Sequence, residues 1–169
     1  MRSGRAHETT GGRGSRWTAL ALFGAVAVAL FLVAQDFKEM WQDPPIYPGQ
    51  GVTGQARLSD YFPDIEDTWA DTDVYFLEGE EAGGTALVLG GTHPNEPASS
   101  LTAITMLENA HVTRGRLIVI PRAAHSGFTA TDPQEGFPQT YHIETPGGPR
   151  EFRYGGRGTN PIHQWPDPV

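Results

Sequence analysis

Residues Trp17 to Ala34 form a run of eighteen uncharged, mostly apolar residues. In hydrocarbon every backbone polar group must be satisfied within the segment, so a single stretch of this kind has one solution, an α-helix. Eighteen residues come close to the length that crosses a bilayer. Arg2, Arg5, Arg13 and Arg16 precede the run, and Asp36 and Glu39 follow it. That order of charge predicts an amino terminus in the cytoplasm and a remainder that is periplasmic or extracellular. Trp17 and Trp41 are placed to anchor at the two interfaces. The alternative is a cleaved signal peptide and a secreted remainder. Ala27-Val28-Ala29 matches a small-x-small cleavage site, but apolar residues continue to Val33, and cleavage after Ala34 would put Leu32 where a small side chain is preferred. No polar face interrupts the run, which argues against a core helix of a soluble domain.

About 135 residues remain beyond this run, enough for one modest domain. The chain carries a formal net charge of -8, and its first sixteen residues contribute four Arg and one Glu, so the rest is near -11. A strongly acidic domain lacks the basic footprint that nucleic acid requires, so no nucleic-acid partner is expected. Asp64, Glu66, Asp67, Asp71 and Asp73 cluster without EF-hand spacing and read as a solvated acidic face rather than a calcium loop. There is no cysteine, which excludes disulfides and thiolate metal sites.

The chain therefore divides into a basic cytoplasmic leader (1–16), a transmembrane anchor (17–34), a linker rich in Pro and Gly (35–56) and a folded portion (57–169). Tyr61 to Thr72 is ambiguous and admits a short helix. Val74 to Glu78 reads as a strand, Gly79 to Gly84 as a turn, and Thr85 to Leu89 as its hairpin or sheet partner. A helix over 96–109 and a strand over 116–120 complete a β-α-β unit, whose right-handed crossover makes its two strands parallel.

The chemistry is concentrated in Gly90-Gly91-Thr92-His93-Pro94-Asn95-Glu96-Pro97. His93 and Glu96 form an H-x-x-E pair, a spacing at which an imidazole and a carboxylate can share one zinc ion. The preceding glycines allow a sharp turn and a close backbone approach. Asn95 is a good N-cap and Pro97 fits the first helical turn. Ala98, Leu101, Ile104 and Leu107 mark the expected buried helix face. This places the pair at the carboxyl end of a strand, the edge where ligands bind in open α/β sheets.

This block resembles the metal-binding motif of the succinylglutamate desuccinylase/aspartoacylase family, within the wider zinc carboxypeptidase (M14-like) group. Arg114-Gly115-Arg116-Leu117-Ile118-Val119-Ile120-Pro121 is similar to the strand that follows it in the family. The resemblance covers roughly residues 57 to 169, and family members more often have Gly where this chain has Pro94. It implies an α/β fold, a partial mixed sheet with a flanking helix, carboxypeptidase-like and truncated, which the apolar run precedes with one transmembrane helix. It implies one zinc ion per intact site, with His93 and Glu96 as two of three protein ligands. It also implies a third ligand His on a later strand, an Asn-Arg pair for the substrate carboxylate and a Glu general base. No segment of this chain matches those three, and the general base is expected beyond Val169.

Within the chain, His125 is the third-ligand candidate, because it follows the second strand of the β-α-β unit on the same edge as His93. His111 lies near the helix end, where a protonated imidazole favours the dipole. His142 and His163 lie in Gly/Pro-rich stretches and read as surface or loop residues, and His7 belongs to the leader. Fourteen of the 47 residues from Ala123 to Val169 are Gly or Pro, which predicts a long irregular loop. Its aromatic residues (Phe128, Phe137, Tyr141, Phe152, Tyr154, Trp165) predict that this loop docks, with a risk of exposure if its docking surface is missing. Arg150, Arg153 and Arg157 read as surface solubility, with an anionic substrate as the alternative.

The function expected from this reading is a membrane-anchored zinc hydrolase of amide bonds, present here as an incomplete chain. Its substrate would be a small N-acyl amino acid, as for a deacylase, or a peptide-like molecule, as for a carboxypeptidase. The lipid bilayer is its other partner. The alternatives are an inactive truncated relative and a non-enzymatic membrane-tethered binding module.

Overall fold

The computed structural model describes residues 12–39, 42–129 and 140–158. The expectations for most of the leader, and for Trp41, Phe137, His163 and Trp165, lie outside these residues. The chain forms two compact units, Met1–Glu39 and Met40–Val169.

The first unit holds the helix α1 (Gly12–Glu39). Its Gly14–Asp36 portion is long and apolar enough to cross a membrane, and a signal sequence near the amino terminus meets the same standard. The helix outruns the apolar stretch at both ends, because neighbouring residues such as Arg16 and Gln35 are compatible with helix and nothing breaks it before Glu39.

The second unit is built on a four-stranded mixed sheet. Its strands are β1 (Gly54–Arg57), β2 (Asp73–Glu78), β3 (Glu81–Leu89) and β4 (Arg114–Ile120), in spatial order β1-β2-β4-β3. The helix α2 (Pro97–Asn109) connects β3 to β4, which run parallel as expected. β2 is not the direct partner of β3. β4 lies between them, antiparallel to β2 with Phe76 opposite Ile118, and parallel to β3 with Leu87 opposite Ile118. The physical reason is burial. A central strand loses water on both faces, and β4 supplies Val119 at 0% exposure and Ile120 at 9%. β3 takes an edge instead, where Leu87 and Leu89 stay 57% and 51% exposed. Among the described residues no strand covers the outer edge of β3.

Tyr75, Leu77, Ala103, Leu107 and Val119 form the core between sheet and helix. Full burial of a leucine such as Leu107 stabilises by about 2 kcal/mol. The helix face that packs is Ser100, Ala103, Ile104 and Leu107, while Ala98 is exposed and Leu101 half-buried. The expected face is therefore rotated at its first turn, where Ala98 precedes the packed region.

The stretch expected to link anchor and domain is strapped onto the domain. Ile46 and Val52 pack on the core, the Gly49 amide donates to the Leu107 carbonyl, and the Tyr47 amide donates to Glu108. Tyr61 to Thr72 is not an α-helix. It continues from a 3₁₀ turn (Leu58–Asp60) through a second (Pro63–Ile65) to Asp67, whose positive φ of 59° reverses the chain. The acidic cluster divides: Asp64, Glu66 and Asp67 are solvated, but Asp71 is buried. Asp71 accepts from Arg57 at 2.9 Å and from the Ser59 amide at 3.0 Å, which secures β1 to the chain before β2.

The long irregular loop expected after Ala123 is interrupted by a hairpin, β5 (Thr140–Thr145) and β6 (Gly148–Arg153). Gly148, at φ 108°, provides the turn conformation that a side chain disfavours. Its described aromatics do dock: Phe128 and Phe152 are buried, and Tyr141 stacks on Phe152 at 5.8 Å.

Candidate functional site

At the carboxyl end of β3 the chain turns through Gly90 and Gly91. A Cβ on Gly90 would lie 2.6 Å from the Ala103 side chain, and Gly91 has φ +63° with Phe128 packed against it. Neither position accepts a larger residue without a shift, which is the physical basis for the Gly-Gly pair. The turn is fixed by backbone bonds. The Gly90 amide donates to Ile120, Ala123 donates to Gly90 and Ala124 donates to Gly91. The Gly91 amide also donates to Ser99 Oγ at 3.1 Å.

The loop then presents His93 and Glu96. The Glu96 amide donates to the His93 carbonyl at 2.9 Å, so one tight turn brings the two side chains to the same side. His93 Nδ1 stands 3.4 Å from Glu96 Oε2, and both groups are open to solvent, at 41% and 54% exposure. Pro94, between them, is fully buried. A Cβ on Gly155 would lie 2.6 Å from the Pro94 Cβ, so the loop is clamped against the segment that follows β6. Pro94 thus replaces conformational freedom with packing, and leaves both side chains on the outside.

Glu96, not Asn95, is the residue that caps α2, and no side-chain cap bond is made. The first turn is held by Ser99 Oγ, which donates to the Glu96 carbonyl. The Glu96 carboxylate is therefore left for other partners: His93 on one oxygen and Arg157, at 3.1 Å, on the other. Arg157, 70% exposed, thus pairs with one of the two residues that the resemblance gives as metal ligands.

His125 is not brought to this pair. Its Nε2 lies 3.0 Å from Asp43 Oδ2 and its Nδ1 lies 3.2 Å from the Trp69 carbonyl, so both ring nitrogens are engaged. Among the described residues no three His, Asp or Glu side chains converge as a metal-binding group. His111 is exposed beyond α2, and His142 is exposed on β5, paired with Glu151 at 3.1 Å.

His125 instead belongs to a network around two buried arginines that no local pattern in the sequence displays. Asp43 accepts from His125, from Arg153 at 3.1 Å and lies 3.4 Å from Arg122. Arg122 also donates to the Pro44 carbonyl. Burial alone would raise the Asp43 carboxyl, but the His125 hydrogen bond and the charges of Arg122, His125 and Arg153 outweigh it and hold the group below its ordinary value. Burial pulls the Arg153 guanidinium down to about 10, with Asp43 opposing. Arg150, the third arginine of the hairpin region, makes a two-pronged contact with Glu108 at 2.7 and 2.9 Å and lies over the Tyr47 ring. All three arginines that read as surface residues are thus used within the unit.

Comparison of the chain with family models, with curated proteins and with solved structures finds no match.

Proposed function

We propose that the chain contributes His93 and Glu96 to the zinc site of a membrane-anchored hydrolase acting on amide bonds. One observation carries this reading. The 3.4 Å between His93 Nδ1 and Glu96 Oε2 is long for a hydrogen bond, yet it suits two ligands of one ion. Zinc bonds of about 2.0–2.2 Å at a tetrahedral angle put two ligand atoms roughly 3.3 Å apart. The loop backbone holds that separation, with Pro94 as its clamp. The third ligand and the general base lie outside the described residues on this reading.

Zinc held there would polarise a carbonyl and lower the pKa of water to about 7. His93 and Glu96 would hold the ion at the carboxyl end of β3, where both side chains are open to solvent. The resemblance of Gly90 to Pro97 to the succinylglutamate desuccinylase/aspartoacylase motif points to an N-acyl amino acid or a peptide-like substrate. The arginines before Trp17 and the acids after Ala34 support an anchor with a cytoplasmic amino terminus and a periplasmic or extracellular domain.

The test is zinc stoichiometry by elemental analysis, in detergent, on a protein that carries the third ligand and the general base as well as this chain, together with a screen of N-acyl amino acids. We expect about one zinc per chain, and its loss with any hydrolysis in His93→Ala. Equal zinc in the variant and the parent would overturn the assignment. The Arg157–Glu96 ion pair favours one second reading, an inactive relative in which a guanidinium stands where the ion's charge would be. On that reading zinc binds weakly, and no hydrolysis appears even when Arg157→Ala removes the competing cation.

A further inference from the structure

Arg122 and Arg153 are 6% and 4% exposed at their side chains, and the carboxylate that faces both is Asp43. Two guanidiniums against one carboxylate leave an excess of positive charge, whichever form the neighbouring His125 takes. Arg122 is provided for by Asp43 and the Pro44 carbonyl. Arg153 is not. One of its nitrogens reaches Asp43, while Nε and the other terminal nitrogen have no acceptor among the described residues. A buried charge with orphaned N–H groups is costly, and structures keep one when something completes it.

Both arginines line a cavity of about 10 Å³, walled on its apolar side by Ile104, Phe128 and Phe152. That is room for about one water-sized particle. Tyr141 also lines it, and burial, helped by Tyr154, pushes the hydroxyl pKa to about 12, so it keeps its proton. A water molecule would accept from Arg153 but would leave the excess charge. We propose that this cavity is a site for one small anion, with chloride as its probe, held by Arg153 and Arg122. The site shares no residue with His93 and Glu96 and stands whether or not zinc binds there.

The experiment is chloride-35 NMR on the full chain in detergent, in a chelator so that no metal contributes, with gluconate keeping ionic strength constant. Saturable line broadening is expected, reversed by bromide, and at least tenfold weaker in Arg153→Met. The melting temperature of the unaltered chain should also rise as chloride replaces gluconate. Broadening equal in the variant and the parent, or unaffected by bromide, would overturn the proposal. If Arg153→Met does not fold, the melting series alone decides, and a melting temperature indifferent to chloride rejects the anion and leaves water as the occupant.

Discussion

The His93–Glu96 turn and the Asp43–Arg122–His125–Arg153 network both combine imidazole and carboxylate, but they are built on opposite plans. The first is two residues three positions apart on an open loop, loosely paired at 3.4 Å and more than 40% exposed. The second joins residues separated by as many as 110 positions and keeps both guanidiniums almost wholly from water. An open pair can accept a ligand without disturbing the fold, as the proposed zinc site requires. A charge network with buried guanidiniums ties the strap before β1 to the segment after β4 and to the hairpin, so its first role is to hold three distant segments together.

If that contrast is right, the largest effect comes from Asp43→Ala, which leaves two buried arginines without their carboxylate. Removing one partner of a buried pair costs about 3–5 kcal/mol, and the partial exposure of Asp43 puts the loss near the lower end. Urea denaturation should show a loss of that size, whereas His93→Ala and Glu96→Ala should stay within about 0.5 kcal/mol of the parent. Equal losses at the two regions would break the comparison.

A smaller effect follows from acid. Asp43 has a lowered carboxyl pKa in the folded chain. Its contribution is then fully present above the unfolded value of about 3.9 and is lost as pH falls from there through the lower folded value. Stability measured against pH should decline below about pH 4. Asp71, lowered by its Ser59 and Arg57 contacts after burial has raised it, adds to the same limb. Asp43→Asn should therefore flatten that decline in part. An unchanged acid limb would remove Asp43 from the explanation.

The smallest effect on stability, and the sharpest for function, is Arg157→Ala. Exposed ion pairs contribute about 0–1 kcal/mol, so the melting temperature should barely move. Zinc affinity should rise several-fold, because Glu96 loses its competing cation. An unchanged affinity, measured by competition with a chromogenic chelator, would remove Arg157 as a competitor of zinc.

Much of the scaffold was legible because its signals are local. The apolar run predicted α1, Gly-Gly predicted the tight turn at Gly90 and Gly91, and the spacing of Ile104 and Leu107 predicted a buried helix face. β5 and β6 were missed under their high Gly and Pro content. The alternation Tyr141, Ile143, Thr145 before Pro146-Gly147-Gly148 was the signal that could have found them. β1 lay hidden in the expected linker, since Gly54-Gln55-Ala56-Arg57 has almost no strand character of its own and owes its pairing to β2.

The sequence by itself determined the apolar helix, the parallel β-α-β unit and the placing of His93 and Glu96 on one turn. Periodicity and short-range sterics act between neighbours in the chain. Only the tertiary structure decided that β4 and not β3 is central, that His125 serves Asp43 and that Arg153 is buried. Those outcomes depend on which surfaces exclude water and which distant charges they bring together, and neither is written in any single stretch of residues.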